Sequence, residues 1–294
     1  MACVVGIMAH DEGANIASAL QSVLAQSGPH VGEPRIVVVA SGCTDDTVPR
    51  AKAVAAAHPR VAVLEQERRE GKASAINLFL EEAGPVAVCI LAGGDTRLEP
   101  GALEALVAPF DNPSVGMTGG RPVPVDATTR LLGRVVRFQW DLHDAVARVE
   151  PKLGELVAFR RSAGLLPPDT ATDEAWLESA VVTSGLRRVY VPEARVAMKG
   201  PGTLREYVAQ RRRIHAGHLR LAARTGHRVS TMDWKRAAAE AFALRAAGRA
   251  ALGTIAAAAL LESWARLLGA WDARILRREQ AVWTRLPSTK NLRG

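Results

Sequence analysis

Cysteine is scarce: three residues in 294, at Cys3, Cys43 and Cys89. Their spacing matches no metal-ligand pattern, and Cys3 and Cys89 sit in apolar runs, where a thiol acts as a small buried hydrophobe. An odd, sparse count excludes a disulfide framework and points to a reducing compartment. No glycine-rich phosphate loop of the P-loop or dinucleotide kind occurs, so ATPase and NAD-dependent readings lose their main support. Aromatic residues make up only 4% of the chain. That is too few for a base-stacking surface, no nucleic-acid module is recognisable, and no nucleic-acid partner is expected. Long apolar runs are missing as well. The best, Ala250–Leu261, has 12 residues, against the ~20 that a spanning helix needs. Met1 leads directly into Ala2-Cys3-Val4-Val5-Gly6-Ile7 with no basic leader, which reads as a first buried strand rather than a signal peptide.

What is present is a large stock of apolar residues, 48% of the chain, enough for a sizeable core and against wholesale disorder. The net charge of +8 conceals an asymmetry. From Arg195 to the end there are 20 Lys and Arg against 6 Asp and Glu, a balance of +14, while residues 1–194 carry −6. A mildly acidic body with a basic tail region implies an anionic partner for the tail.

Along the first hundred residues short β-rich runs alternate with helical stretches. Strands are expected at Cys3–Met8, Arg35–Ala40, Val61–Glu65 and Val86–Leu91. Helices are expected near Ala14–Gln26, Asp46–Ala57 and Lys72–Glu82. Such alternation predicts a mostly parallel sheet flanked by helices. Ligands bind such sheets beyond the carboxyl ends of the strands. The middle is more irregular, with strands at Val115–Gly119, Leu156–Phe159 and Arg187–Val191 around helices near Thr128–Val149 and Thr172–Gly185. From Gly202 the pattern is helical almost to the end, and Val196–Gly202 is the best boundary.

The strand-end loops carry the candidate chemistry. After the first strand comes Ala9-His10-Asp11-Glu12; its acids suit the positive end of a helix as well as a ligand. After the second comes Ser41-Gly42-Cys43-Thr44-Asp45, where Thr44 or Asp45 would cap a helix and Gly42 would permit a sharp turn and close approach of a ligand. Lys72, in Glu70-Gly71-Lys72, opens a helix whose dipole disfavours a cation. A bound diphosphate would account for it, and so would a solvated surface lysine. Gly93-Gly94-Asp95 leaves an apolar strand through two glycines; a carboxylate there could hold Mg²⁺ or Mn²⁺ against phosphates, or cap a plain turn. Asp173 and Glu174 open a helical pattern as caps or as a general base. Three consecutive arginines, Arg211 to Arg213, cannot all face one way, so one or two are expected to be merely solvated. His215 and His218 lack the partners of a zinc site.

In this order and spacing the motifs resemble family 2 glycosyltransferases of the GT-A fold, over roughly residues 3–220. Ile7–Ile16 is similar to the opening donor motif, with Met8 for its Pro, Asp11 for its Asn, and Glu12 kept. Val38–Asp45 is similar to the second nucleotide motif, with Ser41 where the nucleotide-binding Asp usually stands. Gly71–Asn77 matches the Gly-Lys-Ala…Asn element. Gly93-Gly94-Asp95 resembles Asp-x-Asp with its first acid lost, and Thr172-Asp173-Glu174 the Thr-Glu-Asp base motif with the acids exchanged. Gln210–Ile214 resembles the Gln-x-x-Arg-Trp motif of the cellulose-synthase-like, membrane-associated branch, with Ile214 for Trp.

The resemblance implies a GT-A domain over 1–200, with a donor half at 1–100 and an acceptor half at 101–200. It is followed by a basic, amphipathic C-terminal helical arm at 201–294. It implies inverting transfer of sugar from a UDP- or GDP-sugar to a hydroxyl on a lipid-linked or glycan acceptor, and the departure at Ile214, where the Trp is missing, favours a single-sugar transfer over processive synthesis. Ala9, His10, Glu12, Ser41, Lys72 and Asp95 would bind the donor, and Asp95 would hold the Mg²⁺ or Mn²⁺. Glu174 or Asp173 would be the base, with Glu155, Gln210 and Arg213 at the acceptor and gate. A sugar-1-phosphate nucleotidylyltransferase would want a basic, glycine-rich first loop where His10-Asp11-Glu12 is acidic. A degenerate, non-catalytic scaffold is the other alternative, motivated by the lost acids.

Leu260, Trp264, Leu267, Leu268, Trp271 and Ile275 recur at helical spacing, with Glu262, Arg266, Arg274 and Arg277 off the stripe. This predicts an amphipathic helix over Gly248–Arg278 lying on an anionic bilayer. The protein is thus expected to be cytoplasmic and peripheral on the inner face of the plasma membrane. Packing of the stripe on the catalytic domain, or on a second copy in a homo-oligomer, is the alternative.

Overall fold

A computed structural model describes residues 2–126, 128–161, 164–276, 282 and 287–290. Eight strands form one mixed sheet in the order β3-β2-β1-β4-β7-β6-β8-β5. Its first half comes from β1 (Cys3–Ala9), β2 (Arg35–Ser41), β3 (Val61–Gln66) and β4 (Val88–Gly93), all parallel. Between them run α1 (Ile16–Leu24), α2 (Thr47–Ala57) and α3 (Lys72–Ala83). Every residue of β1 is buried, as expected of a strand covered on both faces.

Alternate residues serve different layers because side chains point to opposite faces. Val5, Ile7, Ile36, Val38 and Ile90 pack with Ile16, Leu20 and Val23 of α1. The other face carries Val4, Val37, Val39, Cys89 and Leu91 against Ile76, Phe79 and Leu80 of α3. A Cβ on Gly6 would stand 2.8 Å from the Phe79 ring, so the glycine lets α3 settle on the sheet.

The second half is built from β5 (Arg97–Leu98), β6 (Val115–Pro124), β7 (Val157–Arg160) and β8 (Arg187–Met198). Around it lie α4 (Ala102–Val107), α5 (Leu131–Val149) and α6 (Asp173–Thr183). β7 runs antiparallel to both β4 and β6, while β6 and β8 are parallel. Both β6 and β8 run further than expected, past Gly119 and past Val191. Pro122, Pro124 and Pro192 speak against regular strands; Pro192 falls in the register shift between Gly119 and Arg121, while Pro122 and Pro124 pair in register with Val196 and Met198 where β6 has passed its pairing with β7.

The remaining helices are α7 (Leu204–Thr225), α8 (Trp234–Ala246) and α9 (Leu252–Trp271). They build a core of their own with α5, in which Val135, Val136 and Phe138 meet Tyr207, Leu244, Ala250 and Ala258. The C-terminal helices are thus packed onto α5 in the second half of the sheet domain. No helix among the described residues is long and apolar enough to cross a membrane. Arg277 and Arg278, the end of the expected amphipathic helix, lie outside the described residues.

Candidate active site

Pairing of Ala9 with Ala40 and of Met8 with Gly93 ends β1, β2 and β4 at one level, so their loops open together at one sheet edge. Antiparallel β7 begins at that same edge, because Val157 pairs with Leu91. The preceding residue pair, Gly154 and Glu155, therefore stands beside the Gly93–Asp95 loop although sixty residues separate them. All eleven expected site residues line one cavity of about 1080 Å³: Ala9, His10, Glu12, Ser41, Lys72, Asp95, Glu155, Asp173, Glu174, Gln210 and Arg213.

Several motif residues build the loops. Asp11, in a left-handed conformation (φ 51°), accepts the Thr44 backbone N–H at 2.7 Å and staples the first loop to the second. Asp45 accepts the N–H of Thr47 at 2.9 Å, at the start of α2, and that of Gly13 at 3.0 Å. Gly42 makes the expected sharp turn (φ 55°), but the group that approaches it closely is the Arg69 backbone, whose nitrogen would be 2.7 Å from a Cβ there. Ser41 donates to Gln66 at 2.6 Å, and Gln66 donates to Glu70 and Ser74, so this network frames the start of α3. Asn77 accepts the N–H of Leu166 and donates to its carbonyl, both at 2.8 Å, anchoring the segment that leads into α6.

Glu12 is 3% exposed and rests against Gly94, where an added Cβ would be 3.1 Å from its Cγ. Burial, and then the charge of Asp95, push its pKa up to about 7. Asp95 folds back over Gly93, where an added Cβ would come within 2.6 Å of its carboxylate oxygen. Two carboxylates crowded at a strand end call for a cation. In this structure Lys290 supplies one, ion-paired with Glu12 and donating to the His10 carbonyl at 3.2 Å. No local pattern in the sequence marks Lys290, since it reaches the site across 278 residues.

Across the cavity Lys72 contacts Asp173 at 2.7 Å and Glu174 at 2.6 Å. In this structure it holds the two base candidates rather than standing as a solvated lysine. Burial is the largest influence on the Lys72 ammonium and opposes its charge, but the two carboxylates outweigh it and raise its pKa. Burial and the adjacent Glu174 raise Asp173, which is 1% exposed. Burial also works against the Glu174 charge, but Lys72 prevails and lowers it. Glu155, at φ 62°, is pushed up to about 7 by burial and by Glu174.

The arginine triplet is fully engaged, contrary to the expectation that one or two are merely solvated. Arg211 makes a two-pronged pair with Glu262 at 2.8 and 2.9 Å. Arg212 does the same with Asp272, at 2.5 Å for both contacts. Arg213 faces the cavity, where burial lowers its pKa to about 10 against the pull of Asp173, Glu174 and Glu155. Helix α7 reaches the base candidates by close packing of Gly217 on Thr172, with 2.5 Å between an added Cβ and the threonine methyl.

The carboxylate oxygens of Asp95 are donors of the kind that suits Mg²⁺ or Mn²⁺. A second grouping, His10, Asp11 and Cys43, brings three potential ligand atoms within 4.8 Å of one another. Its atoms already have partners: Asp11 takes Thr44, His10 Nδ1 lies 2.8 Å from the Ser41 carbonyl, and Cys43 donates to the Ala9 carbonyl at 3.7 Å. The donor chemistry therefore favours Asp95.

A mixed sheet whose strand ends open into a cavity ringed by acids, with helices on both faces, is the GT-A glycosyltransferase architecture. The Glycosyl transferase family 2 model matches residues 4–163, more than half of the chain, and the chain belongs to that family. Among solved structures, it resembles the mannosyltransferase PcManGT from Pyrobaculum calidifontis, in complex with GDP-Man and Mn²⁺. That match has 21% identity and a TM-score of 0.67, over 94% of this chain and 88% of the other. Glucosyl-3-phosphoglycerate synthase from Mycobacterium tuberculosis, with Mn²⁺, UDP and glucosyl-3-phosphoglycerate, matches at 21% identity and a TM-score of 0.51, over 76% and 80%. S. aureus TarS 1-349 with UDP matches at 15% and 0.52, over 74% and 66%. At these identities the likeness is one of fold. No curated protein sequence matches the chain.

Proposed function

We propose that this glycosyltransferase moves a single sugar, with inversion, from a nucleoside-diphosphate donor to a hydroxyl acceptor, as a peripheral enzyme on the cytoplasmic face of the plasma membrane. The observation that carries the reading is the convergence of Asp95, Lys72, Asp173 and Glu174 on one cavity at the strand ends. The acceptor oxygen attacks the anomeric carbon from the face opposite the diphosphate. The new C–O bond forms as the bond to the diphosphate breaks, the hydroxyl proton passes to a carboxylate, and the nucleoside diphosphate leaves. Asp173, with its raised pKa, is the better-matched base, because proton transfer is most efficient when the base pKa lies near the working pH. Glu174 stays ionised beside Lys72 and holds the ammonium in place. Mg²⁺ or Mn²⁺ bound at Asp95 would supply Lewis-acid charge to the leaving diphosphate. Arg213 provides fixed positive charge at the same cavity.

Calorimetry with UDP and GDP, with and without Mn²⁺, tests the donor site. Metal-enhanced binding that Asp95→Asn abolishes is expected. Equal binding without metal would remove Asp95 from the ligand role. In a donor-hydrolysis and transfer screen, Asp173→Asn should lower turnover by ~10²–10⁴ with the fold intact. A chain that binds nucleotide but turns over no donor would instead be the scaffold.

A further inference from the structure

The cavity does not end at the catalytic carboxylates. Past His143 it continues between α5, α8 and α9, where its walls are Trp140, Ala238, Ala241, Phe242 and Ile255. The charged groups along this stretch are paired or stand at its edge. His143 is held neutral, as burial and then Lys152 lower its pKa to about 3. Glu262 is neutralised by Arg211 and Arg266. Three residues that line the cavity are also exposed, Trp234, Phe242 and Leu252, so the apolar end opens to the surface beside α8 and the start of α9. The cavity, about 1080 Å³ in all, stands at the upper end of the ~300–1,000 Å³ of a typical small-molecule site.

We propose that this apolar extension binds the hydrocarbon chain of a lipid acceptor and presents its polar head to Asp173 and Glu174. The proposal rests on the glycosyl-transfer reading above and names the acceptor class within it. A water-soluble glycan would leave these apolar walls unpaired, whereas a methylene or prenyl chain gains by covering them. The occupant is argued from the rim as well. Lys235 lies 5.9 Å from the ring centre of Trp234, and Arg245 is exposed at the cavity edge. Aromatic residues flanked by cations suit an anionic lipid surface. The outward face of α9 continues in that character with exposed Leu260, Trp264, Leu267 and Trp271. A lipid could therefore enter from a bilayer with its chain inward.

The test is tryptophan-fluorescence titration of the full chain with 1-O-alkylglycerols from octyl to hexadecyl, and with farnesyl phosphate. Affinity should rise about fourfold per added methylene and then level off when the extension is full. Preference for farnesyl phosphate over an alkylglycerol of equal length would assign a prenyl phosphate; the reverse would assign a glycerolipid. Ala259→Trp at the exposed rim and Ala241→Trp deeper in should each cost long chains about tenfold or more, while UDP or GDP binding with Mn²⁺ stays within twofold and reports an intact fold. Affinity independent of chain length, or unchanged in both filled variants, would overturn the proposal. So would a dimer in sedimentation that buries Trp234 and Phe242 and binds no alkyl chain. Chain-length dependence in a protein that binds no nucleotide would sink the transfer reading and keep the chain site.

Discussion

Helices α1 and α9 both carry an apolar stripe at helical spacing, and they use it in opposite ways. In α1 the stripe, Ile16, Leu20 and Val23, is buried against the parallel sheet. In α9 the buried residues are small, Thr254, Ala258, Ala265 and Gly269. A Cβ on Gly269 would be 2.5 Å from the Arg212 carbonyl, so α9 lies almost backbone to backbone on α7. Its polar side chains face inward to the arginines of α7, through Glu262, and Asp272 just beyond its end does the same. Ile255 and Leu261 pack into the core with α5 and Leu268 is half-buried, but most of the expected stripe faces out: Leu260 is 73% exposed and Leu267 66%. Amphipathicity thus tells that a helix has two faces, but not which solvent each face meets. An outward Leu and Trp face on a basic region is what a bilayer-bound helix requires.

This contrast can be broken at its strongest point first. Leu20→Ala should cost about 2–5 kcal/mol, the usual penalty for emptying a packed core site, read as the shift of the denaturation midpoint. Leu267→Ala on the exposed stripe should stay within about 0.5 kcal/mol. Equal losses would mean that the α9 stripe is packed rather than presented.

A smaller effect is expected at the polar seam. Burial opposes the Glu262 charge, but Arg211 and Arg266 outweigh it and lower its pKa to about 2 from 4.5. A carboxylate depressed in the folded state stabilises fully above its unfolded pKa, and that stability is lost as pH falls through the folded value. The seam should therefore weaken between about pH 4.5 and 2. Glu262→Gln should cost about 2 kcal/mol at neutral pH and flatten the acid dependence across that window. An unchanged acid profile would show that Glu262 does not hold α9.

Smaller still is the gain from the bilayer, at most about 1 kcal/mol for each basic residue that reaches an anionic surface, and it should fall with added salt. Flotation with anionic liposomes at low and high salt measures it, with Leu260→Ser/Trp264→Ser as the comparison. A full chain that stays in solution at low salt would assign the stripe to a protein partner. Binding that survives high salt and alkaline carbonate would mean deeper insertion than a surface helix.

The first half of the sheet, β1 to β4, was nearly legible from pattern alone. Its strands are continuous apolar runs, and their ends match the structure to within two residues. The second half was less so, because prolines in β6 and β8 obscure the strands, and only the pairing of the two strands shows how they are tolerated. Function-bearing residues were found by motif, yet their partners were not. Lys72 was visible as a misplaced helix-start cation, whereas its clasp on Asp173 and Glu174 spans about a hundred residues. Lys290 had no signal at all.

Local alternation of apolar and polar residues and strand-end glycines determined the α/β class and the cavity's edge of the sheet, since these depend on neighbours close in the chain; the identities of the residues around the cavity came from the order and spacing of motifs that resemble a known family. Tertiary structure alone decided which acids spend their charge on loop geometry, as Asp11 and Asp45 do, and which face the cavity, as Glu12 and Asp173 do. It also decided that α9 turns its polar side inward. Charge pairing and helix orientation depend on contacts between segments far apart in the chain, and a periodic pattern carries no record of which distant surface it will meet.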